Sequence, residues 1–394
     1  MTLPSRDYYM SLVRVLLTFH TGKIASQQHE DLTVWRERWQ HLHLLKEEAR
    51  LSKQSTKETG TANSGEQATS RLSGQVLYAA LHRGEYVQLH PVATDLGGVR
   101  AVAFSPEGNL LATGHGAKTV QLWDTVSQQK SGPPLFGHTD LVDGISFSPD
   151  GALLATASLD GTVRLWDVTS RTAISEPLES HSDGATAAFF SPDAPHLITV
   201  GRTMRVWDIR NVNQPQKIGR PLASGLVARP AISPTGLVAT GHTNGVTHLW
   251  DLKEEQKLGG PLRGHAQDVS AVAFSPDGQL LATAGHDVQL WDVSSHEMIH
   301  EPLPCNDEPV WSMAFSPDGS TLAAVTGHRE GRKRQDHSVR LWDTATWTPI
   351  GKPLAGHTGS IRAAAFSPDS RLYTTGGDDG LLRLRILPTA RGWQ

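Results

Sequence analysis

The feature that most constrains this chain is a tract that recurs from about residue 84 onward. Its fullest copy, residues 137–168, reads GHTDLVDGISFSPDGALLATASLDGTVRLWDV. Phe-Ser-Pro returns with its aromatic at Phe104, Phe147, Phe190, Phe274, Phe315 and Phe366, and Ile232-Ser233-Pro234 fills the gap. Trp-Asp closes the first six copies at Trp123, Trp166, Trp207, Trp250, Trp291 and Trp342, spaced by 43, 41, 43, 41 and 51 residues. Within one copy, residues 142–147, 153–158 and 163–167 are short, apolar, β-rich runs. Ser148-Pro149-Asp150-Gly151 and Asp160-Gly161 between them are turn formers. A period of about 40–45 residues built this way predicts an all-β ring of four-stranded sheets, a β-propeller.

Such a ring has to close. A proline precedes the motif phenylalanine by 13 residues at Pro134, Pro177, Pro261, Pro302 and Pro353, and Pro91 stands 13 before Phe104. Residues 86–91 therefore read as a fourth strand with no first three of its own. The seventh copy has three strands, near 361–366, 371–376 and 381–386, and only eight residues beyond. The orphan strand is expected to complete that last blade, giving seven blades and removing open sheet edges.

These signatures make residues 85–387 similar to WD40-repeat propellers, of the regular kind known from prokaryotic WD40 proteins. The resemblance implies a buried tetrad, which in blade 2 falls on His138, Ser158, Asp160 and Trp166. In that family the indole N–H donates to the hydroxyl, which bonds the imidazole, which bonds the carboxylate. Such a network satisfies buried polar groups and pins strands to a turn. A Ser/His/Asp trio invites a hydrolase reading, but one that recurs with every period is a blade staple. The other copies depart from it. Blade 1 has Asp95 and Ala117 at the His and Asp places and is expected to lack the network. Blade 3 keeps His181 with a shortened turn at Gly201. Blade 4 has Ala223 and Asn244, blade 5 keeps His265 and Asp287, and blade 6 has Asn306 but keeps Asp336. Blade 7 keeps His357 and Asp379 with Arg385 in place of tryptophan. Only blade 2 reads as complete.

Residues 1–50 differ in kind. Tyr9, Leu12, Val13, Leu16 and Leu17, then Leu32, Trp35, Trp39 and Leu42, fall at helical spacing. Residues 51–70 read as a flexible linker, 71–84 as a lead-in helix and 85–394 as the propeller. Thr21-Gly22-Lys23 lacks the upstream glycine and the following Ser/Thr of a phosphate loop and reads as a helix stop.

Composition narrows the function. The net charge of −4 and pI near 6.5 give no general attraction to nucleic acid or anionic membrane. One cysteine, Cys305, excludes an internal disulfide framework and fits the cytoplasm. No apolar run reaches the ~18 residues of a membrane span, and Arg14 interrupts the N-terminal apolar run, arguing against a secretory signal. The 19 histidines show no HExxH and no cysteine partner, so neither a metal nor a cofactor is expected.

The strongest functional signal is an insertion in blade 6, residues 327–337, carrying Arg329, Arg332, Lys333 and Arg334. A long charged loop on a scaffold whose regular loops suffice for folding is a candidate contact element. The resemblance places it on the face of the Gly-His loops, where partners bind at the third and fifth places after the histidine position and the place before the tetrad Asp. Those are Leu141, Asp143 and Leu159 in blade 2, and Asp268, Ser270 and His286 in blade 5. Blade 6 supplies Pro309, Trp311 and Gln335, blade 7 supplies Ser360, Arg362 and Asp378, and blade 1 supplies Gly98 and Arg100. Trp311 is a large aromatic where most blades are small or polar; it either anchors a partner or packs on the channel wall. A divided face is expected, basic and aromatic at blades 6, 7 and 1, with Asp143 and Asp268 elsewhere.

The expected function is a non-catalytic, monomeric platform for a protein or peptide partner with an acidic segment, in prokaryotic signalling. One alternative is the sensor part of a STAND-type signalling NTPase, whose NTPase module this sequence does not contain. The other is a propeller enzyme with a site at the channel mouth.

Overall fold

The computed structural model of the protein describes residues 87–88 and 92–387, apart from 193, 223–228, 253, 255, 306–307 and 328–336. The expected N-terminal helices, linker and lead-in helix lie outside the described residues. Seven antiparallel sheets follow one another along the chain. Their inner strands are Val99–Phe104, Val142–Phe147, Ala187–Phe190, Ala231–Ile232, Ala271–Phe274, Val310–Phe315 and Ile361–Phe366. Each leads outward through a second and third strand. In blade 2 these are Leu153–Ser158 and Thr162–Asp167, with Leu178–Glu179 and Thr172–Ala173 outermost.

The second strand of each blade is packed on both faces by neighbouring blades, so its burial does not alternate: Leu153–Ser158 is buried from its second residue on. Seven apolar clusters fill the spaces between blades, one at each boundary around the ring. The tryptophan of a blade packs toward the preceding blade. Trp166, for example, joins Ala112, Leu122 and Val142 at the boundary of blades 1 and 2.

Closure occurs as expected, with one refinement. Val87 and Gln88 pair with Ile386 and Arg385, and Val92 and Ala93 pair with Leu382 and Leu381. The chain's first described strands thus complete the last sheet, as two short ladders rather than one run. The boundary this creates, between blades 7 and 1, holds the smallest cluster: Leu111, Trp123, Leu382 and Leu384.

The buried network of blade 2 uses a different hydroxyl from the one expected. Trp166 Nε1 donates to Thr156 Oγ1 at 2.9 Å, and Thr156 Oγ1 lies 2.8 Å from His138 Nε2. His138 Nδ1 lies 2.9 Å from Asp160 Oδ2. A carboxylate can only accept, so Nδ1 carries the proton and Thr156 donates to Nε2. Ser158 is not part of this relay; its hydroxyl donates to the Asp140 carbonyl at 3.0 Å and accepts from Asp160 N–H at 3.1 Å. The reason is reach. Trp166 stands opposite Leu154 in the ladder, and an indole spans to the next same-face residue, Thr156, but not to the one after.

The network is also commoner than expected. Blade 5 is complete, through His265, Thr283, Asp287 and Trp291. In blade 7 the Arg385 guanidinium takes the place of the indole and donates to Thr375 at 3.0 Å, with His357 and Asp379 behind it. Blade 1 recruits an imidazole from elsewhere: Trp123 donates to Thr113 at 2.7 Å, and Thr113 meets His115 Nε2 at 2.8 Å. Blade 4 does the same with Trp250, Thr240 and His242. Both histidines stand two residues beyond the threonine, His115 at the end of its strand and His242 just past its own, and take the place of the loop histidine.

Candidate functional site

In four blades the inner strand carries one residue more than its partner strand. The extra residues are Arg100, Asp143, Trp311 and Arg362. A β-bulge leaves its residue outside the ladder and re-aims the side chain. Here all four lie at the start of the innermost strand, on blades 6, 7, 1 and 2, which are consecutive around the ring.

Their side chains form a continuous chain of contacts at one mouth of the central channel. Arg100 Nε and Nη2 both lie 3.1 Å from Asp143 Oδ1, and its Nη1 lies 3.7 Å from Asp378 Oδ1. Arg362 grips Asp378 Oδ2 through Nε at 2.8 Å and Nη2 at 2.6 Å. The same guanidinium lies over the Trp311 ring, 5.1 Å from its centroid, a cation–π distance.

A residue from the far side joins them. Arg229, just before the inner strand of blade 4, places Nη2 3.2 Å from Asp143 Oδ1 and 3.2 Å from the Arg100 carbonyl. Its Nη1 lies 3.5 Å from the Arg362 carbonyl. Blade 4 stands opposite the boundary of blades 7 and 1 in a seven-membered ring, so this side chain crosses the channel. Burial pushes the Asp143 carboxyl up, but the charges of Arg229 and Arg100 outweigh it and hold the group below the usual carboxylate range.

The divided face is corrected accordingly. Arg100 and Arg362 are ion-paired with Asp143 and Asp378, and Asp143 lies between two guanidiniums instead of belonging to an acidic half. Leu159 is half-buried, its N–H bonded to the Leu141 carbonyl at 3.0 Å. Asp268 is half-buried in blade 5 and is not among the groups brought together at the mouth. Arg329, Arg332, Lys333 and Arg334 lie outside the described residues. Arg229 escaped the sequence reading because blade 4 lacks the Gly-His landmark. A signal did exist. Three residues before the motif Phe, the other blades carry Ala101, Gly144, Ala187, Ala271, Ser312 and Ala363, and blade 4 alone carries an arginine. The position is small because neighbouring inner strands approach there: a Cβ on Gly144 would sit 2.6 Å from the Ala187 Cα.

Beside Arg229 lies a cavity of about 340 Å³, lined among others by Ile232, Ala271, Phe274, Trp311 and Met313. Trp311 is half-exposed at the mouth. Its Nε1–H, however, is buried without a hydrogen-bond partner among the described residues. The other end of the channel is different in character. There the repeated Phe-Ser-Pro residues line an apolar space of about 690 Å³. Among the described residues no group of three or more His, Cys, Asp or Glu is placed to hold a metal. Cys305 is buried, which pushes its thiol up to about 12 and leaves it a poor nucleophile.

Comparison with known proteins agrees with this geometry. Residues 90–124, 130–167, 256–292, 297–343 and 347–384 match the family described as "WD domain, G-beta repeat". Among curated proteins, the chain is similar to eukaryotic translation initiation factor 3 subunit I. With that of Culex quinquefasciatus it is 24% identical over 164 residues, covering 38% of this chain and 47% of the relative. With that of Drosophila pseudoobscura pseudoobscura it is 25% identical over 154 residues, with the same coverage. The chain thus spans about half the length of the curated relatives it matches.

Proposed function

Since the chain belongs to the WD40-repeat family, we propose that it is a non-catalytic platform that binds a protein partner at the charged mouth of its channel. The observation that carries this reading is the set of bulges on four consecutive blades, which turns Trp311, Arg362, Arg100 and Asp143 toward one opening. In blades 3 and 5 the ladder begins one residue beyond the corresponding place, at Ala187 and Ala271, and the residue there is a small Thr186 or Ser270. Aromatic and arginine side chains in partly desolvated settings are the usual anchors of protein interfaces. The partner segment is acidic in this reading, steered by the arginines and by the basic insertion of blade 6. The relatives' description as a factor subunit supports a role within an assembly. The single buried cysteine supports a cytoplasmic setting.

Affinity capture with the intact chain supplies the partner, and binding kinetics then test the surface. Trp311→Ala should mainly speed dissociation. Replacing Arg329, Arg332, Lys333 and Arg334 with serine should mainly slow association and flatten its salt dependence. Wild-type kinetics for both variants would exclude this face as the contact surface.

A further inference from the structure

Arg229 is held across the channel by contacts that suit a guanidinium poorly. Its partners are two backbone carbonyls, at 3.2 and 3.5 Å, and one carboxylate oxygen at 3.2 Å. An arginine fork is best matched by a single carboxylate accepting two parallel hydrogen bonds at about 2.7–2.9 Å. Asp143 cannot offer that, because the oxygen facing Arg229 is the one that Arg100 already engages through two nitrogens. Asp378 is likewise occupied by Arg362 and Arg100. Three guanidiniums therefore share two carboxylates at the mouth, and the excess positive charge resides on the most weakly paired of them. Arg229 also borders the cavity of about 340 Å³, which Trp311 lines as well. The surroundings hold a donor fork and open volume together.

We propose that Arg229 is the anchor of a carboxylate-binding site, engaging one acidic side chain of a partner peptide that enters the channel mouth. The incoming carboxylate accepts the bidentate pair that Asp143 cannot supply. Asp143 stays with Arg100, so no buried carboxylate is left unpaired by the exchange. Arg229 leaves its long carbonyl contacts, and the mouth opens toward the cavity beside Trp311. The inference rests on the reading of this face as a contact surface for an acidic segment and adds the residue that fixes where the acid binds.

The test uses the full chain and a fluorescein-labelled hexaglutamate peptide, followed by anisotropy, with hexaglutamine as the neutral control. The wild-type chain should bind hexaglutamate in a salt-sensitive manner and not bind hexaglutamine. Arg229→Gln should weaken binding on the order of tenfold or more, the worth of a charge-assisted pair. Arg229→Lys, which keeps the charge and loses the fork, should also weaken it; this variant decides the matter if the glutamine variant fails to fold. Asp143→Asn should tighten binding several-fold by removing the internal competitor. Unchanged affinity in both Arg229 variants, with a loss in Trp311→Ala, overturns this inference and leaves the contact face standing. No wild-type binding of hexaglutamate overturns this inference together with the acidic-segment reading. Competition by inorganic phosphate, at concentrations where free glutarate has no effect, would assign the site to a phosphate instead and overturn the carboxylate.

Discussion

Replacing Thr156 with valine tests the account of the buried network most directly. Valine matches threonine in shape, so the change removes one hydroxyl and little volume. That hydroxyl accepts from Trp166 Nε1 at 2.9 Å and donates to His138 Nε2 at 2.8 Å, and Thr156 is fully buried. Its loss strands two polar atoms where water does not reach. At about 1–3 kcal/mol for each unsatisfied buried group, the cost should be about 2–6 kcal/mol. Ser158→Ala removes contacts to the Asp140 carbonyl and the Asp160 N–H, both at a turn where solvent is near. Water can replace them, and the cost should be about 1 kcal/mol. Urea unfolding followed by tryptophan fluorescence separates the two, provided the denaturant slope stays constant and only the midpoint moves. A Ser158→Ala cost equal to or above that of Thr156→Val would refute the assignment and restore serine as the network's hydroxyl.

Stability should also depend on pH through His115. Burial pulls its pKa down to about 4, against a backbone contact with Gly97 that raises it, whereas the unfolded value is near 6.5. The folded state holds it neutral, so the stability is fully present above about pH 6.5 and is lost as pH falls toward 4, by about 3 kcal/mol. His115→Gln should lessen, without abolishing, the slope of a melting-temperature profile in that window, where His181 and His248 are also held at about 4 by burial. Asp160, held at about 2, acts in the same sense only below about pH 4, so the two are separable. Closure gives another outcome. Deleting residues 1–70 should leave the ring intact, while deleting through 93 removes the strands that pair with Leu381–Ile386. The longer deletion should melt earlier and aggregate, and equal melting and solubility would sink the closure account. In the intact chain, hydrogen exchange should be fastest at the small boundary cluster of Leu111, Trp123, Leu382 and Leu384.

Much of the ring was legible because its instructions are local and repeated. Phe-Ser-Pro, Asp-Gly and Trp-Asp set strands, turns and spacing, and seven copies of a weak signal make a strong one. What escaped depends on relations between strands. Ser158 and Thr156 both face the network, and only the ladder register, with Trp166 opposite Leu154, decides between them. His115 and His242 do work that the motif assigns to a loop, and nothing in the order of residues marks them as substitutes. The bulges at Arg100, Asp143, Trp311 and Arg362 are mismatches in pairing, so neither strand shows them alone. Arg229 was the exception. Its departure from six small residues at the same place was visible in the sequence, since Ile232-Ser233-Pro234 fixes blade 4's register, but contact positions counted from the Gly-His histidine do not reach it.

The mouth of the channel is asymmetric for a reason that the ring itself supplies. Blades 6, 7, 1 and 2 carry the bulges, and blades 3 and 4 fall largely in residues 168–255, which lie between segments matching the family. A closed ring tolerates this division because each boundary has its own core, and a change in one inner strand is not felt three blades away. The regular arc can therefore hold four aimed side chains rigidly. The divergent arc contributes one long side chain that reaches back across the opening. Rigid aim on one side and a loosely paired fork on the other suit a site in which an incoming acid re-pairs the fork while the rest of the mouth stays in place.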